Sequence, residues 1–130
     1  MVCIDGGDPV NLRQFLAEGA IPNIARFMQE GISTVADGSM PSFTCPNNMS
    51  MITGTPTARH GISSNFYLDT TTWQPVVMTE PELLRGDTII AKFAEAGAKV
   101  VSITAKDKLR KQLSKGLDVA QDTTLSYQPD

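Results

Sequence analysis

The stretch Asp87-Thr-Ile-Ile-Ala-Lys-Phe-Ala-Glu-Ala-Gly-Ala-Lys-Val-Val-Ser-Ile-Thr104 decides the fold class. Its first half is a helix pattern. Ile89, Ile90, Phe93 and Ala94 recur at helical spacing, Asp87 is a good N-cap, and Gly97 stands where a helix commonly stops. Its second half, Lys99 to Thr104, is a strand in which Val100, Val101 and Ile103 can be buried. A basic helix follows from about Lys106 to Lys115. Helix, strand and helix in succession point to an α/β fold with a parallel sheet.

Working outward gives the same alternation. Val2 to Asp5 reads as a buried strand, and Gly6-Gly7-Asp8-Pro9 as the turn after it. Leu12, Phe15 and Leu16 mark one helix, closed by Gly19. Ile24, Phe27 and Met28 mark a second, after Pro22, with Gly31 at its end. Ile32 to Ala36 is expected to be a strand. In Met40-Pro-Ser-Phe-Thr-Cys-Pro-Asn-Asn-Met-Ser-Met-Ile-Thr-Gly54, Pro46 suits the first position of a helix. Cys45 is then the cap, Thr44 lies just outside it, and Met49 and Ile52 face the core. Residues 55–86, with Pro56, Pro75 and Pro81, read as irregular. The tail from Leu117 on carries no clear pattern.

The 130 residues suffice for one domain with a core, and 41% apolar against 19% charged residues describes a soluble globular chain. A net charge of -3 with no clustered Lys and Arg argues against nucleic acid as a partner. No stretch is apolar and long enough to cross a membrane. No secretory leader is visible, because the chain opens directly into Val2-Cys3-Ile4-Asp5. Cys3 and Cys45 make neither a disulfide framework nor a metal knuckle, and they fit a reducing cytoplasm. The single histidine is the most limiting feature. A catalytic zinc usually takes about three protein ligands, so His60 cannot supply a two-metal site. Either metal chemistry is absent or its ligands lie outside this chain.

Several residues can carry chemistry, each against a plainer alternative. Asp5, at a strand end before two glycines, can bind a cation or simply form a turn. Thr44, beside a helix N-terminus, can cap that helix or act as a nucleophile if a base or metal activates it. Cys45 can be a thiolate nucleophile or a small cap residue. Asn65 can donate to an anionic oxygen or shape a loop. Lys106 and Lys108, just after a strand, can hold an anion or begin a solvated helix. His60 before Gly61 reads as a structural hydrogen bonder.

Thr44-Cys-Pro-Asn47, then Thr53-Gly-Thr-Pro-Thr-Ala-Arg-His-Gly-Ile62 and Asn65, resembles the nucleophile segment of the alkaline phosphatase superfamily, in its phosphodiesterase and nucleotide pyrophosphatase branch. Asp5-Gly6 upstream fits the same pattern, while Cys45 stands where that branch usually has an aromatic residue. Cys3 to Pro9, Met40 to Ser50 and Ile103 to Arg110 are most similar to the phosphonoacetate hydrolases of that superfamily. The resemblance implies the N-terminal part of a three-layer α/β/α sandwich with a mostly parallel sheet. Residues 1–130 would then be the nucleophile-bearing part of a catalytic domain, incomplete and inactive alone. It implies Thr44 as nucleophile and zinc ligand, and Asp5 as a zinc ligand. It also implies Asn65, Lys106 and Lys108 as substrate-binding residues, and two zinc ions in the complete domain. The implied reaction is hydrolysis of the P–C bond of phosphonoacetate to acetate and phosphate. A phosphodiesterase or nucleotide pyrophosphatase of the same superfamily is the alternative, and a non-catalytic remnant is a third. An uncovered sheet edge in such a part predicts self-association or a homodimer.

Overall fold

The computed structural model describes residues 1–118 and, as backbone, 123–126. These fall into two compact units, Met1–Asp37 and Gly38–Asp130.

The first unit holds helices α1 (Pro9–Ala17) and α2 (Pro22–Glu30). Asp8 caps α1, accepting from the Val10 N–H at 2.7 Å, and Pro9 begins the helix where a missing N–H costs nothing. Leu12, Leu16, Ile24 and Met28 are half-buried. Phe15 and Phe27, expected on the same apolar stripes, are exposed. The Arg26 guanidinium lies 5.7 Å from the Phe27 ring centre instead. The strands expected over Val2–Asp5 and 32–36 are not formed, and Val2, Ile4, Ile32 and Val35 are exposed. A strand persists only where a neighbour takes up its backbone donors and acceptors. Among the described residues every strand lies in the second unit, paired with another strand there.

The second unit runs α3 (Thr44–Thr53), α4 (Thr57–His60), β1 (Phe66–Asp69) and β2 (Gln74–Val77), then a 3₁₀ turn at Pro81–Leu83. It continues with α5 (Ile89–Glu95), β3 (Val101–Thr104), α6 (Asp107–Leu113) and β4 (Thr123–Ser126). β3 and β4 are parallel, from Val101 opposite Thr123 to Thr104 opposite Ser126. The α/β class expected from the alternating pattern is therefore present.

The irregular reading of 55–86 needs correction, because β1 and β2 form an antiparallel hairpin there. Its turn is built by Asp69 rather than by glycine. The Asp69 carboxylate accepts from Thr71 N at 2.8 Å and from Thr72 Oγ1 at 2.9 Å, and its carbonyl accepts from Trp73 N at 2.7 Å. Those bonds hold Trp73 at φ +55, a value that a β-turn signal of Gly or Asn would have announced. Pro75 is tolerated because the sheet has only two strands, both of them edges.

The core consists of Cys45, Met49, Ile52, Ile62, Met78, Leu84, Leu109 and Leu113. Cys45, Met49 and Ile52 lie at helical spacing on α3, and Leu109 and Leu113 do the same on α6. Gln112 is buried between them and donates its amide to the Met78 carbonyl, while Lys115 Nζ donates to the Leu84 carbonyl. These bonds tie α6 to the segment before α5.

Two expectations around α5 are revised. Thr88, not Asp87, is the N-cap; its hydroxyl accepts from Ala91 N at 3.0 Å. Asp87 instead pairs with Lys92 at 2.9 Å on the surface. Ala91 is the buried residue of α5 and Ile90 packs against the core as expected, whereas Ile89 and Phe93 are exposed. On β3, Val101 and Ile103 are 57% and 72% exposed, so this strand shows an apolar face among the described residues.

Truncating the core and the exposed face should have different consequences. Met49→Ala is expected to cost about 2–5 kcal/mol, through lost burial and the cavity left behind. Phe93→Ala is expected to change stability by about 0.5 kcal/mol or less. Urea unfolding midpoints of the two variants check this.

Candidate functional site

The site is built around the first turn of α3. Thr44 is the first residue of that helix, two positions earlier than the start expected at Pro46, and Phe43 is its N-cap without a side-chain cap bond. Pro46 therefore occupies the third position. The first turn of a helix has N–H groups with no partner inside the helix, and it carries the positive end of the helix dipole. Pro46 contributes no N–H. The Cys45 N–H is taken by Asn65, whose Oδ1 accepts it at 3.4 Å. The NH₂ end of the same amide is the part that can donate to an anion.

Thr44 is half-buried. Lys106 Nζ donates to its Oγ1 at 3.1 Å. Lys106 comes from the N-cap of α6, immediately after β3. The turn that delivers it is pinned by buried Thr104, whose Oγ1 accepts from Lys106 N at 3.1 Å. Lys108 is half-buried near the same point, since its charge and that of Lys106 both act on the Cys45 thiol. Of the residues that the resemblance implies, Thr44, Asn65 and Lys106 thus meet at one helix end, and the charge of Lys108 reaches the neighbouring Cys45. Asp5 lies in the first unit, exposed, in the turn before α1.

Cys45 is fully buried. Burial raises its thiol above the ordinary range, and the Lys108 and Lys106 charges oppose that without cancelling it. The thiol is held protonated and inward, so the plainer reading of Cys45 holds over the thiolate one. The exposed polar side of the first turn belongs to Thr44.

The helix is fastened by a polar network that the sequence did not announce. Asn47 Oδ1 accepts from Ser39 N at 2.7 Å, and its Nδ2 donates to the Phe43 carbonyl at 2.9 Å. Asn48 Nδ2 donates to the Thr44 carbonyl at 2.9 Å. Both amides thus act at the start of the helix. Ser50 Oγ lies 3.1 Å from Ser39 Oγ and 2.9 Å from His60 Nε2. His60 Nδ1 accepts from Ile62 N at 3.1 Å. Nδ1 is thus an acceptor, and the neutral ring carries its proton on Nε2, toward Ser50. Both ring nitrogens are engaged, as expected for a structural histidine. The signal that could have found this network was the pairing of Ser50 with a buried His-Gly turn, which spacing alone does not reveal.

Among the described residues no three His, Cys, Asp or Glu side chains come together to hold a metal ion. His60 is committed to Ser50 and Ile62. Asp5 and Thr44 are the oxygen donors that the family likeness singles out, and two zinc ions would need donors beyond those described. The residues present do not by themselves fit the metal pair.

The sequence profile of the type I phosphodiesterase / nucleotide pyrophosphatase family matches residues 1–127. Phosphonoacetate hydrolase from Sinorhizobium meliloti 1021, solved in complex with phosphonoformate, superposes with a TM-score of 0.86 at 41% identity. The same enzyme in complex with phosphonoacetate gives 0.86 at 40% identity. Each match covers 95% of this chain and 30% of that one, so the chain spans under a third of their length. The α/β arrangement is the alkaline phosphatase-like fold of those neighbours. No helix among the described residues is long and apolar enough to cross a membrane.

His60 gives a pH test of the network. Burial lowers its pKa below the ordinary value, the Arg85 charge lowers it further, and a backbone bond partly opposes them. The unfolded chain therefore takes up the proton first as pH falls. The stability contributed by the neutral ring is full above about pH 6.5 and is lost as pH falls through the depressed native value. The urea midpoint of the natural protein is expected to drop across that window, and that of His60→Gln to drop less. Parallel curves for the two proteins would show that His60 titrates alike folded and unfolded.

Proposed function

We propose, from the premise that this chain belongs to the type I phosphodiesterase / nucleotide pyrophosphatase family, that it carries the nucleophile end of a phosphonoacetate hydrolase site. The observation that carries this reading is the 3.1 Å contact between Lys106 Nζ and Thr44 Oγ1 at the N-terminus of α3. In this reading Thr44 is the nucleophile, and Asn65 holds a phosphonate oxygen through its NH₂ end. Lys106 and Lys108 take the carboxylate of the substrate. Likeness to a protein crystallised with phosphonoacetate and phosphonoformate supports a small phosphonate carrying a carboxylate.

The chemistry follows from charge. The Thr44 oxygen attacks phosphorus, losing its proton, and an O–P bond forms as the P–C bond breaks. The electron pair of that bond leaves with carbon. A bare acetate carbanion is a very poor leaving group, but its charge can spread into the carboxylate as an enediolate. Two ammonium groups facing that carboxylate stabilise the charge where it develops. Carbon then takes a proton to give acetate, and water frees phosphate from Thr44. An ester substrate with an alkoxide leaving group would gain less from the lysines, which tilts the reading to the phosphonate.

Zinc enters by family likeness. Thr44 and Asp5 are the proposed ligands, and when bound the ions would neutralise the phosphonate oxygens and favour the ionised hydroxyl. Further donors must complete the sites.

A second part of the reading is self-association. Exposed Val101 and Ile103 on β3, with Ile89 and Phe93 on α5, support burial against another copy. Sedimentation velocity over a range of concentrations is expected to show the weight-average mass rising. A constant monomer mass would remove this part and leave the catalytic part untouched.

Phosphate release from phosphonoacetate, with zinc supplied, tests the catalytic part. These 130 residues alone are expected to release none. In a protein that also carries the completing zinc ligands, Thr44→Ala is expected to abolish release, and Lys106→Met to lower it by about 10²–10³-fold, the usual loss for one preorganised charge. Release from a nitrophenyl phosphodiester but not from phosphonoacetate would assign the ester chemistry of the wider family.

A further inference from the structure

Asn65 reaches the first turn of α3 from a loop whose course is set by one ring. Its backbone carbonyl accepts from Met78 N at 2.9 Å, which fixes the far end. At the near end, the chain leaves α4 through Gly61 at φ +86. A side chain there would stand 2.6 Å from Arg85 Nε and 3.0 Å from the Leu83 carbonyl, so the chain has little freedom to turn elsewhere. The next residue, Ile62, is fully buried and gives its N–H to His60 Nδ1 at 3.1 Å. The other side of the same ring meets Ser50 of α3 at 2.9 Å. The ring thus joins the helix that carries Thr44 to the loop that carries Asn65.

We propose that His60 is a positioning residue of the site: neutral, it holds the 61–65 segment so that the Asn65 amide meets the Cys45 N–H, and protonated, it releases that segment. The reason is a donor count. An imidazolium has no acceptor nitrogen, so protonation at Nδ1 sets two N–H groups against each other and breaks the bond to Ile62. The Ser50 bond survives, because Ser50 Oγ can accept. Ser50 and Ser39, which face the ring side, are neutral. Arg85 is the charged group whose field reaches it, and its backbone N–H donates to the His60 carbonyl at 2.8 Å. The consequence for the site is that Asn65 is in place at neutral pH and displaced in acid. The importance of this depends on Asn65 serving as the anion-holding group of the proposed site, but the positioning itself can be measured without turnover.

The readout is the Cys45 backbone amide. It lies in the first turn of α3, where no carbonyl of the helix can take it, and its acceptor is Asn65 Oδ1. Hydrogen exchange by NMR, corrected for intrinsic pH dependence, therefore reports the Asn65 contact. As pH falls from about 8 through the depressed titration of the His60 ring, the protection of Cys45 is expected to fall with the same midpoint. Asn65→Ala is expected to lower it by about tenfold at neutral pH, the size of one hydrogen bond, and His60→Gln by a similar factor. Gln can reach Ser50 but offers Ile62 no acceptor at the Nδ1 position. His60→Asn puts an amide oxygen at that position, so protection is expected to persist and to lose its pH dependence. The Met49 amide, within the helix, serves as the folding control. Protection at Cys45 that is unchanged in His60→Gln, or that does not vary with pH in the natural protein, would overturn the inference. If His60→Gln fails to fold, the natural protein's pH series and His60→Asn still decide it. Absence of phosphonoacetate turnover would instead bear on the substrate reading and leave this result standing.

Discussion

The constraint on which the site depends is the burial of one face of α3. Cys45, Met49 and Ile52 must enter the core. At 100° per residue, that requirement leaves Thr44 on the rim, partly open, at the positive end of the helix. It also brings the helix against α6, whose Leu109 and Leu113 fill the same core. Once α6 is packed there, its preceding turn delivers Lys106 to the Thr44 hydroxyl. The polar contact is thus downstream of an apolar one. The hydroxyl and the ammonium meet because the Cys-Met-Ile face of the 10-residue α3 and the leucine face of the 7-residue α6 share a core.

This arrangement explains why Thr44 rather than Cys45 presents its side chain to Lys106. The two residues are adjacent, and a thiolate is the better nucleophile in water. Yet the helix rotates the thiol into an apolar interior, where ionisation is costly, and two nearby cations do not undo that cost. The hydroxyl is rotated toward those cations. A net charge of -3 over the chain did not suggest a cationic site. The local balance differs from the total because Asp and Glu are spent elsewhere. Asp107 pairs with Arg110, Glu80 with Lys111, and Asp87 with Lys92, all near the surface.

Much of this was legible in the sequence. The helices recur at their apolar spacing, and the family resemblance grouped Thr44, Asn65, Lys106 and Lys108; that Asn65 and Lys106 reach the first turn of α3 is a finding of the structure. What was not legible was non-local or lay in side-chain bonding. The β1–β2 hairpin turns on the Asp69 carboxylate, and no Gly-containing pair marks it. Cap assignments slipped by one or two residues at α3 and α5, because Thr88 and Asp87 are both acceptable caps in isolation. The N-terminal and 32–36 strands were read from β-prone composition, which says nothing about whether a neighbouring strand is present to complete the backbone bonds. Val101 and Ile103 were expected inside for the same reason, and apolar residues on a strand do not by themselves say what covers them.

The histidine count bears on the metal question in a way that composition alone did not show. One histidine could still have been a ligand, with others supplied from elsewhere. His60 is unavailable for that, because its Nδ1 accepts a backbone N–H and its Nε2 faces Ser50 inside the core. Any zinc ligation by this chain must therefore be through oxygen or sulfur. Cys45 is buried and held protonated, which leaves the exposed Cys3 thiol and carboxylate and hydroxyl oxygens, Asp5 and Thr44 among them. Oxygen donors alone suit hard cations, whereas zinc sites usually include nitrogen or sulfur. A zinc site that uses the Thr44 hydroxyl hence needs nitrogen or sulfur donors as well. Within this chain, the histidine serves the geometry of α3 and of the loop after α4, and neither ring nitrogen is left for a metal.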